Sequence, residues 1–197
     1  MPGVPGVYIE ADFTGHKVPP GAYTIQLSAG GNTVTTQGMI VPTPNTHVSE
    51  ERFAEYDAIM TDFESKLTDM HNKVNTLKSV QDQLAKLLKD LKDEELKNEG
   101  QALLDKLKVW DEKMVQRKSQ AYDDVENFPN KFTAEYLFVM NHSNSSLPQI
   151  NQPSVDRKKE LDAQWVRLKQ RAETLIKTEI PNFNAKLWDK GIGAIRM

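Results

Sequence analysis

An apolar heptad pattern over residues 53–91 constrains the fold more than any other feature of this chain. Apolar side chains recur at alternating intervals of three and four residues, and Gln81 alone interrupts the series. The members are Phe53, Tyr56, Met60, Phe63, Leu67, Met70, Val74, Leu77, Leu84, Leu88 and Leu91. A β-strand cannot use this spacing, because its side chains alternate with a period of two. Since residues 49–92 contain no Gly or Pro, the pattern predicts one helix of about 65 Å, whose narrow stripe packs on other helices.

A shift in composition near residues 45–48 divides the chain into two regions. Of its 20 Gly and Pro residues, 13 lie in the first 47 positions, whereas 24 of its 25 Lys and Arg residues follow them. Gly and Pro mark turns, and interspersed charges are typical of solvated helix faces. The sequence therefore predicts a small β-segment over residues 1–46 and a long helical bundle over residues 47–197.

Three alternating segments predict an antiparallel sheet in the first region. Residues 7–13, 23–27 and 33–41 place apolar and polar side chains on opposite faces. Gly30 and Gly31 suit a hairpin turn between the last two strands, and Gly38 suggests a β-bulge. Three strands are less than half of an immunoglobulin-type sandwich. We therefore expect a partial immunoglobulin-like sheet that packs on one end of the bundle and leaves an edge open.

The open edge of this sheet predicts an interaction. Unpaired backbone groups along an edge can recruit a strand from another molecule. We expect either a β-edge dimer of two chains or an edge covered by residues 1–6.

Further three-four spacings predict the other helices. They cover residues 96–114 and 132–141, and a last helix begins at Ser154 and is kinked or restarted by Pro181. The second and third helices together match the first in length. The predicted fold class is therefore mainly α: an elongated up-down-up bundle with a small N-terminal antiparallel β-sheet. Residues predicted to lie in its core include Trp110, Trp165 and Trp188.

One segment, residues 122–132, departs from ordinary bundle composition. It combines aromatic side chains with amides, and Pro129 removes a helix hydrogen bond. One interpretation is a Pro-kinked joint whose Asn side chains satisfy free backbone groups. The other is a contact surface for a partner domain. The candidate partner-contact residues are Tyr122, Asn127, Phe128, Pro129 and Asn130.

The sequence shows no pattern typical of a catalytic or metal-binding site. The absence of Cys excludes thiol catalysis and Cys-based zinc sites, and the four His residues have no ligand partner at i+3 or i+4. Those His residues are predicted to be surface or boundary residues. Acidic pairs such as Asp123-Asp124 are typical of solvated helix-end charges, and no Gly-rich phosphate loop follows a strand. We expect no catalytic residue, no cofactor and no metal in this chain.

Composition also bears on partners. With 25 basic and 28 acidic residues, the chain has no strong field that would attract nucleic acid or anionic lipid. No apolar run approaches the 18 residues of a transmembrane helix, so no membrane insertion is expected. Residues 1–6 lack the basic and apolar regions of a signal peptide and resemble a cut inside a longer protein.

Several short motifs carry a family resemblance. In the β-segment they are residues 18–27, the Gly30-Gly31 turn and residues 39–44. They resemble a β-segment in large bacterial sortilin-like (VPS10-type) BNR-repeat propeller proteins, which are often labelled glycosyl hydrolases. Further motifs follow the order of that family's C-terminal region, so that the resemblance spans residues 7–195. They are Trp110-Asp111-Glu112-Lys113, Asn127-Phe128-Pro129-Asn130-Lys131, Met140-Asn141 and Gln164-Trp165.

The resemblance implies a non-catalytic C-terminal module that braces the propeller or binds another protein, in an extracytoplasmic (periplasmic or secreted) parent protein. Two departures limit it. Pro42-Thr43-Pro44-Asn45 stands where the family usually has a Pro-Asp-Pro-Arg-like stretch, and no Asp-box of the Ser-x-Asp-x-Gly-x-Thr-Trp kind occurs. No catalytic residue can therefore be carried over.

Other function classes stay open at this point. The six-heptad stripe favours a free-standing coiled-coil adaptor or oligomerisation protein. A third class is part of a glycoside hydrolase whose active site lies outside this chain. A hydrolase acting through this chain alone would need a concave pocket with convergent polar groups.

Overall fold

The computed structural model describes residues 1–4, 14–44, 48–119, 121–145 and 147–197. Its strands and α-helices are β1 (Gly21–Ala29), β2 (Asn32–Ile40), α1 (Glu50–Asp90), α2 (Glu94–Met114), α3 (Phe132–Asn144), α4 (Gln152–Thr174) and α5 (Ile180–Asp189). A short 3₁₀ helix (Tyr122–Glu126) precedes α3, and a π-helical turn (Leu175–Glu179) joins α4 to α5. The predicted fold class is confirmed, because the chain is mainly helical with a small antiparallel sheet near its N-terminus.

Local capping signals fix both ends of the first helical connection. The hydroxyl of Ser49 accepts a hydrogen bond from the backbone N–H of Arg52 at 3.4 Å, and Glu50 and Glu51 occupy the positive end of the α1 dipole. Asp93 then caps α2, accepting from the N–H of Leu96 at 3.0 Å. The connection between the two helices therefore consists only of residues 91–93.

The heptad stripe of α1 forms the centre of the core. The broken arm of α2 and α3 runs back along α1. Helix α4 then packs beside α1, α2 and α3, and α5 packs on α2. Phe63 on α1 meets Tyr136 on α3 edge to face, with ring centroids 5.3 Å apart. The indole N–H of Trp110 on α2 donates to the carbonyl of Leu168 on α4 at 2.9 Å. Gln81 lies in this seam and is only 6% exposed.

A glycine permits a close approach of three helices. A Cβ on Gly100 of α2 would lie 2.6 Å from Cδ2 of Leu88 on α1 and 2.9 Å from Cζ of Phe183 on α5. Gly costs about 1 kcal/mol relative to Ala in a helix interior. The close packing of neighbouring side chains explains why Gly occupies this position despite that cost.

The last helix passes Pro181 through the π-helical turn. Pro181 has no N–H, and its ring excludes an ordinary α-helical carbonyl four residues earlier. The N–H of Ile180 instead bonds to the carbonyl of Leu175, five residues back. The helix begins at Gln152, two residues before the predicted start, because the side chain of Asn151 accepts from the N–H of Ser154 at 2.9 Å.

The extra residue in the π-helical turn shifts the inward face of α5. That face passes through Ile180, Phe183 and Leu187, all of which are buried. Trp188 is 76% exposed, so its predicted core position is wrong. The predictions for the other two Trp residues are confirmed, since Trp110 and Trp165 are buried.

The two described strands form a regular hairpin. Gly30 and Gly31 have φ values of 56° and 80°, which matches the tight turn that glycines favour between antiparallel strands. The ladder pairs Gly38 with Tyr23 without interruption, so the predicted bulge is wrong. A Cβ on Gly38 would lie 3.3 Å from Cδ1 of Ile25, and its absence gives that side chain room. The predicted strand at residues 7–13 lies outside the described residues.

The hairpin does not pack on the bundle as predicted. Among the described residues, none from β1 or β2 belongs to the buried core. The physical reason is that the helices and the first residues of the chain already cover the α1 stripe. Val4 is 2% exposed, and the carbonyls of Pro2 and Gly3 accept hydrogen bonds from His71 Nδ1 and Asn75 Nδ2, each at 2.8 Å.

The N-terminal segment bears on two further expectations. Residues 1–4 lie on α1 and not along a sheet edge, whereas residues 5 and 6 of the predicted edge cover lie outside the described residues. His71 is 1% exposed, so its predicted surface or boundary position is wrong. Burial lowers the pKa of His71, which keeps the imidazole neutral beneath this N-terminal segment.

Candidate interaction surface

The β1–β2 hairpin exposes several large apolar side chains on one face. Residues directly opposite each other in an antiparallel ladder share a face. Leu27 pairs with Val34, and Tyr23, Ile25 and Ile40 lie on the same face. Leu27 is 65% exposed, Val34 63% and Ile25 57%. We call this set of five side chains the apolar face.

The opposite face of the hairpin is mainly polar and internally hydrogen-bonded. The side chains of Thr24 and Gln37 bond across the ladder, and the hydroxyls of Ser28 and Thr33 lie 2.9 Å apart. Residues 18–44 contain no Asp, Glu, Lys or Arg, although 27% of the whole chain is charged. The hairpin therefore presents one apolar face and one mainly polar face, on which Met39 is 69% exposed, and neither face carries a charge.

A histidine anchors the base of the hairpin to the bundle. Nε2 of His16 lies 3.0 Å from Asp57 Oδ1, and Nδ1 lies 3.1 Å from Glu64 Oε1. The backbone N–H of His16 also donates to Glu64 at 2.7 Å. Asn144 on α3 accepts two hydrogen bonds at Oδ1, from the backbone N–H of Lys17 and from the hydroxyl of Tyr56. Residues 16 and 17 therefore fasten the hairpin to α1 and α3.

The two carboxylates of this anchor also set its charge. Burial lowers the pKa of His16, but hydrogen bonds and charges from Asp57 and Glu64 outweigh burial and raise the pKa above its ordinary value. Both ring nitrogens can donate at once only in the imidazolium form. The anchor is therefore strongest when His16 carries its second proton.

The predicted partner-contact segment forms a capped turn. Tyr122 begins the 3₁₀ helix, and its side chain lies outside the described part of the structure. Asn127, Pro129 and Asn130 are exposed, and Phe128 is half-buried. The five residues thus belong to one surface turn, and their partner role stays a prediction.

The hydrogen bonds of this turn differ from the predicted ones. Gln116 Nε2 donates to the carbonyl of Pro129 at 3.2 Å, and the N–H of Phe128 donates to the carbonyl of Asp124 at 2.8 Å. Among the described contacts, none uses the side chain of Asn127 or Asn130. The joint is therefore held by a neighbouring amide and a turn carbonyl.

A groove of about 870 Å³ runs beside this turn, between α2, α3 and α4. Its apolar wall consists of Val109, Trp110, Phe132 and Leu168. Its rim carries both signs of charge, from Asp105, Lys106, Glu112, Lys113, Lys131, Glu135, Arg167 and Arg171. Because acidic and basic groups are mixed around it, the rim does not select one class of ligand.

A cluster of ionisable groups connects α1 to α4. Lys158 is 8% exposed and pairs with Asp62 and, at 2.7 Å, with Asp162. Lys66 lies 2.6 Å from Asp62 and 2.9 Å from Asp162. Tyr136 donates to Asp162 at 2.8 Å, and burial together with Asp162 raises its pKa. Two lysines thus balance two aspartates, so the cluster is an ion-pair brace between helices.

Sequence reasoning missed both the His16 anchor and the Lys158 cluster. The pairs Asp62–Lys66 and Lys158–Asp162 are visible as i,i+4 spacings. Their assembly is not visible, because the bond from Lys158 to Asp62 spans 96 residues.

The search for a metal site and a membrane span among the described residues, and for similar proteins, gave negative results. Within the described ranges, no group of three or more His, Cys, Asp or Glu side chains is placed to hold a metal ion. No helix in the part of the chain that the structure describes has the length and apolarity needed to cross a bilayer. Comparison with protein-family models, curated proteins and solved structures gives no match for this chain.

Proposed function

We propose that this chain is a non-catalytic structural and interaction module of a larger sortilin-like BNR-repeat propeller protein. It braces the propeller or binds a protein partner, and the parent protein is extracytoplasmic. One observation carries the interaction role: a closed helical bundle holds out a hairpin whose apolar face is uncovered, with Leu27 65% exposed. The link to the propeller family comes from the sequence motifs.

The energetics of the hairpin support a binding role. A single two-stranded hairpin is marginally stable in water, and three or more strands or a packed helix are normally needed. Covering one large aliphatic side chain contributes about 1.5–3 kcal/mol. A partner that covers Ile25, Leu27 and Val34 would therefore stabilise the hairpin far more than its turn and ladder do alone.

The ion pairs of the bundle support a bracing role. Lys158 connects Asp62 on α1 to Asp162 on α4, and Glu179 accepts from Lys106 on α2 at 2.9 Å and pairs with Arg171. Lys and Arg side chains thus hold these carboxylates between the helices. This arrangement suits a rigid support better than acid–base chemistry, which needs a proton donor or acceptor facing a substrate.

The coiled-coil alternative loses the surface that motivated it. The α1 stripe, including Leu67 and Leu77 at 0% exposed, is buried by helices of the same chain. A seam that is already filled has no apolar stripe left for a second copy. With a charge placed on the hairpin by Leu27→Lys, the bundle should be a monomer by light scattering at every concentration. A stable dimer of that variant would favour the coiled-coil alternative.

The reading frame upstream of residue 1 provides the most direct test. We expect it to encode β-propeller blades with Asp-boxes. A native start codon at Met1, with no blades before it, would overturn the assignment to a propeller protein.

The non-catalytic part of the proposal has a separate test. A panel of glycoside and peptide substrates should show no turnover by this chain. Turnover that is lost when groove residues such as Glu112 are substituted would contradict a purely structural role.

A further inference from the structure

We infer that the apolar face of the β1–β2 hairpin docks onto a β-domain, which packs a sheet against Ile25, Leu27 and Val34 and adds a strand to an edge of the hairpin. This inference deepens the proposed function and rests on it for the setting, a larger assembly in which the chain serves as a module. The chemistry of the partner follows from the charge, edges and size of the hairpin.

The absence of charge in residues 18–44 restricts the partner. Nucleic acid and anionic membranes are bound through Lys and Arg, and acidic peptides through Arg clusters. A hairpin without cations offers these ligands no ion pair. The partner must therefore present an uncharged, apolar contact surface.

The two strand edges indicate that this surface is a sheet. In the described part of the chain, β1 and β2 pair only with each other, over nine residues each. Proteins normally blunt exposed edges with charged side chains, Pro or bulges. Neither Gly21–Ala29 nor Asn32–Ile40 contains a charged residue or Pro, and the ladder has no bulge. Within the described ranges, the backbone groups along both outer edges are therefore open to pairing with another strand.

The size of the hairpin argues against a second copy of it as the partner. A strand of nine residues is about 30 Å long, and two strands are about 10 Å wide. Face-to-face packing of two such hairpins would bury about 600 Å² in total, half of the roughly 1,200 Å² at the lower limit of a stable interface. A whole β-domain that covers the face and also pairs with an edge reaches that limit.

The anchor at His16 fits this arrangement. It holds the base of the hairpin through Asp57 and Glu64 on α1, while the contacts leave the apolar face free. The bundle therefore fixes the position of the hairpin without occupying its binding surface.

A photo-crosslinking experiment in the source cells tests the inference on the full-length protein. Benzoylphenylalanine replaces Leu27 on the apolar face in one variant and Thr35 on the polar face in the matched control. We expect Leu27 to crosslink to residues of a β-strand in a β-domain, identified by mass spectrometry of the linked peptide. The yield at position 35 should be lower by about tenfold or more, because the polar face lies outside the proposed contact.

Several outcomes would overturn the inference. Position 27 could crosslink to a second copy of itself, to a helix or to lipid. Equal crosslinking yields at positions 27 and 35, or no crosslink at either, would also contradict it. A β-domain partner in a protein without propeller blades would instead support the inference and overturn the propeller assignment. The experiment therefore distinguishes failure of the docking inference from failure of the propeller assignment.

A binding measurement with the crosslinked β-domain provides the quantitative check. Leu27→Lys places a charge in the contact and should weaken binding by about a hundredfold. Thr35→Lys adds the same charge to the polar face and should bind like the unmodified chain. Both variants should keep full helicity, because neither residue lies in the buried core. Equal loss of binding in the two variants would contradict docking through the apolar face.

Discussion

Substitution of Gly100 by Ala tests the packing of the bundle, because helix propensity and steric crowding have opposite effects on stability at this position. Helix propensity alone predicts that Gly100→Ala stabilises the chain by about 1 kcal/mol. The new methyl carbon would, however, lie 2.6 Å from Leu88 Cδ2 and 2.9 Å from Phe183 Cζ. Ordinary carbon contacts are about 3.5–4.0 Å. The side chains or the helices must therefore move apart by roughly 1 Å.

The sign of the change depends on whether those neighbours can move. Leu88 is 6% exposed and Phe183 5%, so neither can swing into solvent. Overpacking of a buried site costs about 1–3 kcal/mol. After subtraction of the propensity gain, we expect Gly100→Ala to destabilise the chain by about 1 kcal/mol, which lowers Tm by about 2–4 °C for a chain of this size.

Thermal and urea unfolding monitored by circular dichroism would measure this effect, and a double-mutant cycle would assign it. Leu88→Ala removes the atom that the new methyl group approaches most closely. In that background Gly100→Ala should be neutral or stabilising, so the two substitutions should couple by about 1 kcal/mol or more. A higher Tm for Gly100→Ala alone, or an equal change in both backgrounds, would refute the close approach of the three helices.

The remaining predictions concern the seam, the anchor and the hairpin. Leu67→Asp buries an unpaired charge and should unfold the bundle or cost several kcal/mol in chemical denaturation. Gln81→Leu should be neutral or stabilising, because the amide of Gln81 makes a long hydrogen bond of 3.4 Å to the carbonyl of Leu107; a marked loss would show that this bond is specific. The raised pKa of His16 means that its stabilisation is fully present below the unfolded pKa of about 6.5 and is lost as the pH rises through the higher folded value. The stability difference between the wild-type chain and His16→Ala should therefore shrink at alkaline pH, and a difference that grows would contradict the anchor. Hydrogen exchange should show the β1–β2 amides far less protected than the seam amides of α1, and equal protection would mean that the hairpin is complete by itself.

Features that depend on local sequence were predictable. The single helix α1 follows from heptad spacing over a stretch without Gly or Pro. The hairpin follows from Gly30-Gly31 between two alternating segments. Each of these signals acts over a few residues, so tertiary contacts had little opportunity to override it.

Features that depend on distant contacts were not predictable. Trp188 has the spacing of a core residue, but the π-helical turn before it changes the phase of the helix. His71 is buried because the carbonyl of Pro2 lies on it, although 69 residues separate the two. In the predicted partner-contact segment, the Asn side chains were expected to satisfy free backbone groups, but Gln116 bonds to the carbonyl of Pro129 instead. In each case the deciding contact lies outside the segment that carried the pattern.

The distribution of charge connects the two halves of the molecule. In the bundle, lysines and carboxylates link neighbouring helices, as Lys186 does in contacting Glu99 at 2.6 Å, and they keep the outer faces solvated. The hairpin cannot use this device, because a charge on its apolar face would oppose burial against a partner. If a partner covers the apolar face as proposed, that face has to lack the charged side chains that otherwise protect an exposed strand edge. At high concentration, the isolated chain should consequently show weak association through the hairpin, which Leu27→Lys removes and Thr35→Lys does not.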